Sequence, residues 1–487
     1  MSHLIISKKN EVYLQIQAEP HIYYELRDAF QFEVPNAKYS PAYRNKWWDG
    51  RIYLFNVNTR EIYIGLLDRI IQFCDDHNYT YEFKQNKYYG LPFEINENIS
   101  KEGVQDYIKS ITHYTPRDYQ IDAVYQALKY NRKVILSPTS SGKSLQIYSL
   151  VRYYTHKNLK TLIITPRTSL VTQLYKDFID YGWGAENHCH LIMSGTEKMS
   201  DKSVYISTWQ SVYQMQKSYF QKFDCVIVDE CHEAKSKSLV GIMTKLCDAK
   251  YRFGFTGTLD GIEVNKLVLE GLFGTSYQTI RTDELMKKGH IATLDINVLL
   301  LKHSPHQFEN YEEEIQYLIS HEQRNNFIKN LALDIKGNSL ILFSRVETHG
   351  QPLYDLINTH KTDNRHVFFV HGGVDTEDRE RVREITEKEN NAIIVASYGT
   401  FSTGINIKNL HNVIFASPSK SRVRNLQSIG RGLRKSNTKN KAVLYDIADD
   451  ITFKSKRNYT LNHLMERIRI YNEENFNYDI INIQLKN

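Results

Sequence analysis

The stretch SPTSSGKS, Ser137 to Ser144, decides the reading of this chain. It follows the apolar run Val134-Ile135-Leu136 and precedes LQIYSLVRYY, which reads as a helix. Strand, tight loop and helix in that order are the context of a phosphate-binding loop. Backbone N–H groups around Ser137, Ser140, Ser141 and Gly142, with the helix N-terminus, would face an anion. Lys143 would reach the β- and γ-phosphates of a nucleotide, and the Ser144 hydroxyl would ligate Mg²⁺. The pattern asks for glycine at its first position, where this chain has Ser137. Taken alone, the loop implies a nucleotide and no more.

Outward from the loop, apolar strands alternate with helical segments. KVILSP, TLIITP, SVYIST, FDCVIVDE and YRFGFTGT form one series, ending near Thr258. A second series begins with NSLILFS near residue 338 and continues with HVFFVHGG, NAIIVAS, NVIFASP and KAVLYDIA. Two successive series of strand–helix units predict an α/β protein with two parallel-sheet domains, spanning 111–280 and 281–450. Ligands of such sheets bind beyond the C-terminal strand ends, where the chemical motifs of this chain fall. Residues 1–90 differ: 18 of these 90 are Phe, Tyr or Trp, and short alternating runs with the helix LLDRIIQFCDD predict a small α+β domain. Residues 91–110 read as a linker. The 451–487 tail reads as a helical extension whose Leu461, Leu464, Met465 and Ile468 share one face.

Composition narrows the class. Of 487 residues, 41% are hydrophobic and 24% charged, as in ordinary soluble globular proteins. The net charge of +6 permits a polyanionic partner without demanding one. No apolar run approaches a membrane span, and the N-terminus lacks the apolar core of a signal peptide, so a cytoplasmic protein is expected. The five cysteines show no C-x-x-C pairing. Nothing near His188-Cys189-His190 completes four ligands, so that segment is expected to be a loop rather than a zinc site.

Two further segments supply chemistry. Asp229-Glu230-Cys231-His232 ends the apolar strand CVIV, 86 residues beyond Lys143. Asp229 would hold Mg²⁺, directly or through water, and Glu230 would polarise the attacking water. The alternative is a pair of acids capping a turn. In QSIGRGLR, Gln427 to Arg434, Arg431 and Arg434 lie three apart on one helical face. They would stabilise charge developing on a transferred phosphoryl group, or else be solvated like most surface arginines.

In this order the segments resemble the motifs of superfamily 2 helicases and translocases over residues 111–450. TPRDYQ is similar to the adenine-recognition segment, with Gln120 and Arg117. SPTSSGKS resembles motif I, TPRTSLVTQ motif Ia, DECH a DExH motif II, and Thr256-Gly-Thr258 motif III. LFSRV resembles motif IV, SYGTFSTGINIKN motif V with Gly404, and QSIGRGLR motif VI. The departures from DEAD-box proteins, Cys231 and the Thr-Gly-Thr motif III, are nearer the branch of RecG-like and XPB-like DNA translocases. They are also similar to the motor subunits of type III restriction enzymes. The resemblance implies two tandem RecA-like domains using ATP and Mg²⁺. It assigns coupling to His232, Thr256 and Thr258. It assigns strand contacts to Thr165, Arg167, Thr208, Gln210, Ser344, Arg345 and Ser397, each of which would otherwise be a routine helix cap or surface group.

The N-terminal segment AKYSPAYRNKWWDGRIYLF interleaves Arg44 and Lys46 with Trp47 and Trp48. That mixture suits phosphate neutralisation and base stacking at a junction. It equally suits aromatics filling a small core, or a protein docking face. Charge leaves the alternatives open, because residues 1–90 carry 11 basic and 11 acidic side chains. Length and organisation together resemble the recombination helicases of bacteriophages. That likeness implies action in the host cytoplasm on branched or double-stranded DNA and on RNA–DNA hybrids, alongside recombination or single-strand-binding proteins. An RNA helicase, the motor half of a nuclease, and a nucleotide-gated remodeller of protein–DNA complexes are the competing readings.

Overall fold

Alternation in the first two strands sets up the first core. Leu4 and Ile6 of β1 (His3–Lys8) and Leu14 and Ile16 of β2 (Tyr13–Gln17) are fully buried on one face. With β5 (Glu61–Tyr63) and β6 (Thr80–Lys84) they form a four-stranded sheet in the order β5-β2-β1-β6, antiparallel except for the β1–β6 pair. Helices Pro20–Ala29 and Leu67–Asp76 close that core through Ile22, Leu26 and Ile70. β3 (Gln31–Glu33) and β4 (Arg51–Tyr53) make a separate antiparallel ribbon. Tyr39, Tyr43 and Trp47 beside that ribbon stay out of the core, exposed by 61, 42 and 81%.

The computed structural model describes the chain except residues 1, 35, 36, 234–236, 258–262, 363, 402–406, 408, 420, 422–424, 427, 431–440, 486 and 487. The chain forms two compact units, residues 1–137 with 142–279 and residues 138–141 with 280–487.

In the first unit, seven parallel strands follow the N-terminal sheet: β7 (Arg132–Leu136), β8 (Thr161–Thr165), β9 (Cys189–Ile192), β10 (Val204–Thr208), β11 (Cys225–Asp229), β12 (Tyr251–Thr256) and β13 (Ser276–Gln278). Their order is β13-β7-β12-β11-β8-β10-β9. Period-two alternation splits each strand between two cores. Ile135, Ile163, Ile206, Ile227 and Phe253 pack on one face, and Val134, Leu162, Tyr205, Val226 and Val228 on the other. Burial on both faces explains why these strands read as continuous apolar runs. Residues 101–111, most of which lie in the span read as a linker, form the helix Lys101–Ile111, and its Val104, Ile108 and Ile111 join the first of these cores. The expected loop at Cys189 is instead edge strand β9, paired in parallel with β10.

The second unit is a parallel sheet of β14 (Thr293–Lys302), β15 (Ser339–Phe343), β16 (Val367–Val370), β17 (Ile393–Ser397), β18 (Asn412–Phe415), β19 (Lys441–Asp450) and β20 (Tyr478–Gln484), in the order β16-β17-β15-β18-β19-β14-β20. The second series therefore starts at Thr293, well before residue 338. The tail is also more than helical, since β20 adds an edge strand to β14 over seven residue pairs. On the tail helix Tyr459–Glu473, Leu461 and Leu464 are buried, but Met465 is 43% exposed and the face continues through Arg467 and Tyr471. Arg467 is tolerated inside because its Nε lies 2.8 Å from Asp446 Oδ2, which also accepts the Tyr471 hydroxyl at 2.9 Å.

A second buried cluster joins the sheet to the helix Glu322–Asp334. Asp449 Oδ1 accepts from Arg324 Nε at 2.8 Å and lies 2.9 Å from His303 Nε2. Burial alone would raise the Asp449 pKa, but Arg324 and His303 outweigh it and bring it from an ordinary 3.8 to about 2. A depressed carboxylate contributes stability above its unfolded pKa and loses it as pH falls through the folded value. Arg324→Met is expected to lower stability by about 3–5 kcal/mol, because it strands a buried carboxylate. Urea unfolding between pH 7 and pH 2 checks this: the parent should lose stability from about pH 4 downward, and the variant should lose less of it there.

Candidate active site

Parallel pairing brings the C-terminal ends of β7, β8, β10, β11 and β12 to one edge of the first sheet. The phosphate-loop segment leaves β7 there. Ser137 is buried; its N–H donates to Thr256 O at 2.8 Å, and its Oγ accepts from Gln146 Nε2 at 3.0 Å. The hydroxyl at the position expected to be glycine therefore fastens the loop to the helix Lys143–His156. Ser140 (φ 69°) and Gly142 (φ 81°) take left-handed backbone conformations, of the kind used in anion-binding loops. The left-handed φ favours glycine at 142, where a Cβ would have only the flexible end of the Gln120 side chain to displace. Gln120 Oε1 accepts the Arg117 N–H at 2.9 Å, and Arg117 Nη1 donates to the Tyr119 hydroxyl at 2.7 Å.

Lys143 opens the following helix and stands between two acids. Its Nζ is 2.7 Å from Asp229 Oδ1 and 2.5 Å from Glu230 Oε1. Burial works against the ammonium, yet Asp229 and Glu230 hold its pKa above the usual lysine value. Burial likewise works against the Glu230 carboxylate, and Lys143 with nearby His232 reverses it, leaving Glu230 well below the ordinary range. Asp229 is displaced upward, by burial and by the adjacent Glu230 charge. Glu230 is itself left-handed (φ 51°), a strained conformation for a side-chain-bearing residue that turns the chain sharply just after β11.

His232 connects this pair to β12. Its Nδ1 is 2.7 Å from Thr256 Oγ1 and 3.3 Å from Glu230 Oε2. Glu230 Oε2 is buried with that His232 contact beside it, so Glu230 faces Lys143 through one oxygen and His232 through the other. Ser144 Oγ shares a 2.8 Å hydrogen bond with the Tyr181 hydroxyl, which engages only part of its capacity. The Ser144 hydroxyl and the Asp229 carboxylate are hard oxygen donors suited to Mg²⁺. Tyr181 and Gln146 were absent from the sequence reading. Gln146 sits at the fourth position of the helix opened by Lys143, but Tyr181 leaves no signal, because only folding brings it 37 residues back to Ser144.

The other expected residues divide among three places. At the ends of neighbouring strands β8 and β10, Thr165 Oγ1 donates to Arg167 O at 3.0 Å, Thr208 Oγ1 meets Ser211 Oγ at 2.9 Å, and Gln210 Nε2 donates to Pro166 O at 3.3 Å. Arg167 is exposed at the start of the helix Thr168–Asp180. In the second unit, Ser344 N–H donates to Ser417 Oγ at 3.1 Å, Ser397 Oγ meets Thr400 Oγ1 at 2.8 Å, and Arg345 is paired with Glu312 at 2.5 Å. In the N-terminal region, Arg44, Lys46 and Trp47 are exposed, and Trp48 is half-buried with Nε1 donating to Arg51 O at 2.7 Å. Thr258, Gly404, Gln427, Arg431 and Arg434 lie outside the described residues.

Comparison with known proteins agrees with this geometry. Residues 6–84 match the family described as DNA helicase UvsW, N-terminal. Residues 113–261 match Type III restriction enzyme, res subunit, and residues 322–436 match Helicase conserved C-terminal domain. The chain is 34% identical to the ATP-dependent DNA helicase uvsW of Enterobacteria phage T4, over 97% of this chain and 98% of that protein. It is also 34% identical to the DNA 3'-5' translocase XPB2 of Sulfurisphaera tokodaii, over 29% of this chain and 30% of that one. The crystal structure of T4 UvsW superposes with a TM-score of 0.52 at 32% identity, covering 99% of this chain and all of that one.

Proposed function

Because the chain belongs to the family of the ATP-dependent DNA helicase UvsW, we propose that it spends ATP to move on branched DNA, regressing forks, migrating four-way junctions and unwinding R-loops. The protein is an ATP-dependent helicase with a nucleic-acid substrate. Within the proposal, residues 111–280 and 281–450 are the two motor domains. Lys143 neutralises the β- and γ-phosphates, and Glu230 takes the proton of the attacking water. Ser144 and Asp229 hold Mg²⁺, which supplies charge neutralisation on the phosphates. Gln120 and Arg117 bind the adenine, Gly404 lies beside the nucleotide, and Gln427, Arg431 and Arg434 complete the ATPase. His232 with Thr256 and Thr258 passes the change at Glu230 to β12. Thr165, Arg167, Thr208, Gln210, Ser344, Arg345 and Ser397 contact strand phosphates, which positions the strand without reading its sequence.

The branched substrate rests on one observation above others, the exposure of Tyr39, Tyr43 and Trp47 beside Arg44 and Lys46. Aromatics left at 42–81% exposure in a region with its own closed core are available for stacking on bases where a duplex opens. Action in the host cytoplasm beside recombination or single-strand-binding proteins is part of the same proposal. No described helix is long and apolar enough to cross a membrane.

The test is an unwinding panel of forks, four-way junctions, R-loops and blunt duplex, with RNA duplex as comparison. The triple variant Arg44→Ala, Lys46→Ala, Trp47→Ala is expected to lose about tenfold on branched substrates, the scale of one stacked base with its phosphate contacts. Its ATPase stimulated by single-stranded DNA should stay within about twofold. Equal parent activity on branched and blunt DNA, or preference for RNA, would overturn the branched-DNA reading. Displacement of bound proteins without strand separation would make the chain a remodeller.

A further inference from the structure

A second aromatic feature of the N-terminal region joins the end of the segment Ala37–Phe55 to the helix before it. Tyr24 and Arg27 come from the helix Pro20–Ala29, Tyr53 from β4, and Asn56, Val57 and Asn58 from the turn after it. Together with Phe55 they line an open cleft of about 380 Å³, within the range of small-ligand sites. Phe55 is buried, whereas Tyr24 and Tyr53 remain 54 and 39% exposed. The Arg27 guanidinium lies 5.4 Å from the Tyr24 ring centre and 5.7 Å from that of Tyr53, so two rings and one planar cation share a wall.

The cleft is held ready by its frame. Asn56 Oδ1 accepts the N–H groups of Asn58 and Thr59, both at 3.0 Å, which fixes the turn. The Tyr53 hydroxyl donates to Asp49 Oδ2 at 2.5 Å, which orients its ring. Arg27 Nε and Nη2 both lie against Asp28 Oδ1, at 3.0 and 2.9 Å, which leaves the Nη1 side of the guanidinium for another acceptor. Among the described residues, Arg27 is the one charged side chain lining the cleft, and its partner Asp28 lies outside that lining. The wall therefore favours a planar, electron-rich group attached to an anion.

We propose that this cleft holds one unpaired nucleotide of a single DNA strand. Its base stacks on Tyr24 and Tyr53, and its phosphate lies against Arg27. Stacking on tyrosine accepts any base, so the site discriminates unpaired from paired strand rather than one sequence from another. The inference rests on the DNA-helicase reading and adds a place for the strand end or gap that branched DNA presents. A proline-rich peptide is the competing occupant of a tyrosine-lined groove, and the Arg27 Nη1 donors on the wall argue for the strand, whose phosphates can accept from them.

The test uses the full chain and two fluorescein-labelled strands of equal length, an oligothymidylate and its abasic counterpart, read by anisotropy. Tyr24→Ala is expected to weaken the oligothymidylate about tenfold and to leave the abasic strand within about twofold. A strand carrying 5-iodouracil should cross-link to Tyr24 or Tyr53. An unchanged melting midpoint shows that the exposed substitution leaves the fold intact, and Tyr53→Leu should weaken binding in the same direction. Cross-links mapping only elsewhere, equal weakening of both strands, or displacement of the strand from the cleft by a proline-rich peptide would overturn the proposal. The helicase reading fails separately, if the parent ATPase is not stimulated by the same oligothymidylate.

Discussion

Lys143→Ala is expected to reduce strand-stimulated ATP hydrolysis about a thousandfold or more, the scale on which charge stabilisation at a phosphoryl group is lost. Two physical effects combine. The first is loss of the cation that the phosphates would meet at the mouth of the loop. The second concerns the acids Lys143 now separates, since its Nζ lies within 2.7 Å of both Asp229 and Glu230. Without it, the buried Asp229 and the partly buried Glu230 repel each other, and one of them takes up a proton. The neutral acid could no longer act as base or metal ligand. Strand affinity should change by no more than about twofold, because none of the residues proposed to contact DNA touches Lys143. Phosphate release and anisotropy measured on the same preparation decide it: undiminished hydrolysis would sink the assignment of the loop.

Glu230→Gln is expected to cost about 10²–10⁴ in kcat, the usual contribution of a positioned general base. The substitution keeps size and removes the carboxylate charge that faces Lys143 and His232. ATP binding should be nearly unchanged, so the loss appears in kcat and not in KM. The pH dependence has a definite sign. Lys143 and His232 hold the Glu230 pKa well below the ordinary range, so the proposed base function would be present at neutral pH and fade only as pH falls through that low value. Between pH 5 and pH 8 the parent should show no acidic limb from this group. A kcat for the variant within threefold of the parent would assign the water-activating role elsewhere.

The central strands and the placement of the residues that end them were legible because two demands coincide in them. Ile163 and Ile227 must be apolar to be buried, and the residues after them sit where parallel strands end together, so Asp229 and Thr165 could be placed at one edge by sequence alone. Edge strands carry no such signal. β20 is almost wholly exposed and contains Asp479, Asn482 and Gln484, and β9 includes His190, so neither reads as an apolar run. β14 did contain a readable run, Val298 to Leu301, but no chemical motif follows it. The partners of Ser144 and Ser137 were invisible for a different reason, as Tyr181 and Gln146 contribute single hydrogen bonds that no spacing rule encodes. The exposure of Trp47 also had to be seen, because the charge balance of residues 1–90 was compatible with a core, a docking face or a DNA contact.

One join within the first unit bears on how such a motor can be altered. Leu267 of the helix Glu263–Phe273 belongs to the N-terminal core, and Arg69 pairs with Glu270 of that helix at 2.9 Å. Gly65 lies so close to the backbone at Glu270 that any Cβ would collide, and a Cβ on Gly271 would sit 2.9 Å from Tyr63 Cβ. Glu11 reaches Arg132 at the start of β7, the strand that runs into the nucleotide loop. The N-terminal region is therefore no interchangeable cassette. A chimaera carrying a foreign N-terminus would need to import the matching helix surface with it, and a glycine on each side of the seam is required by the atoms of the other side.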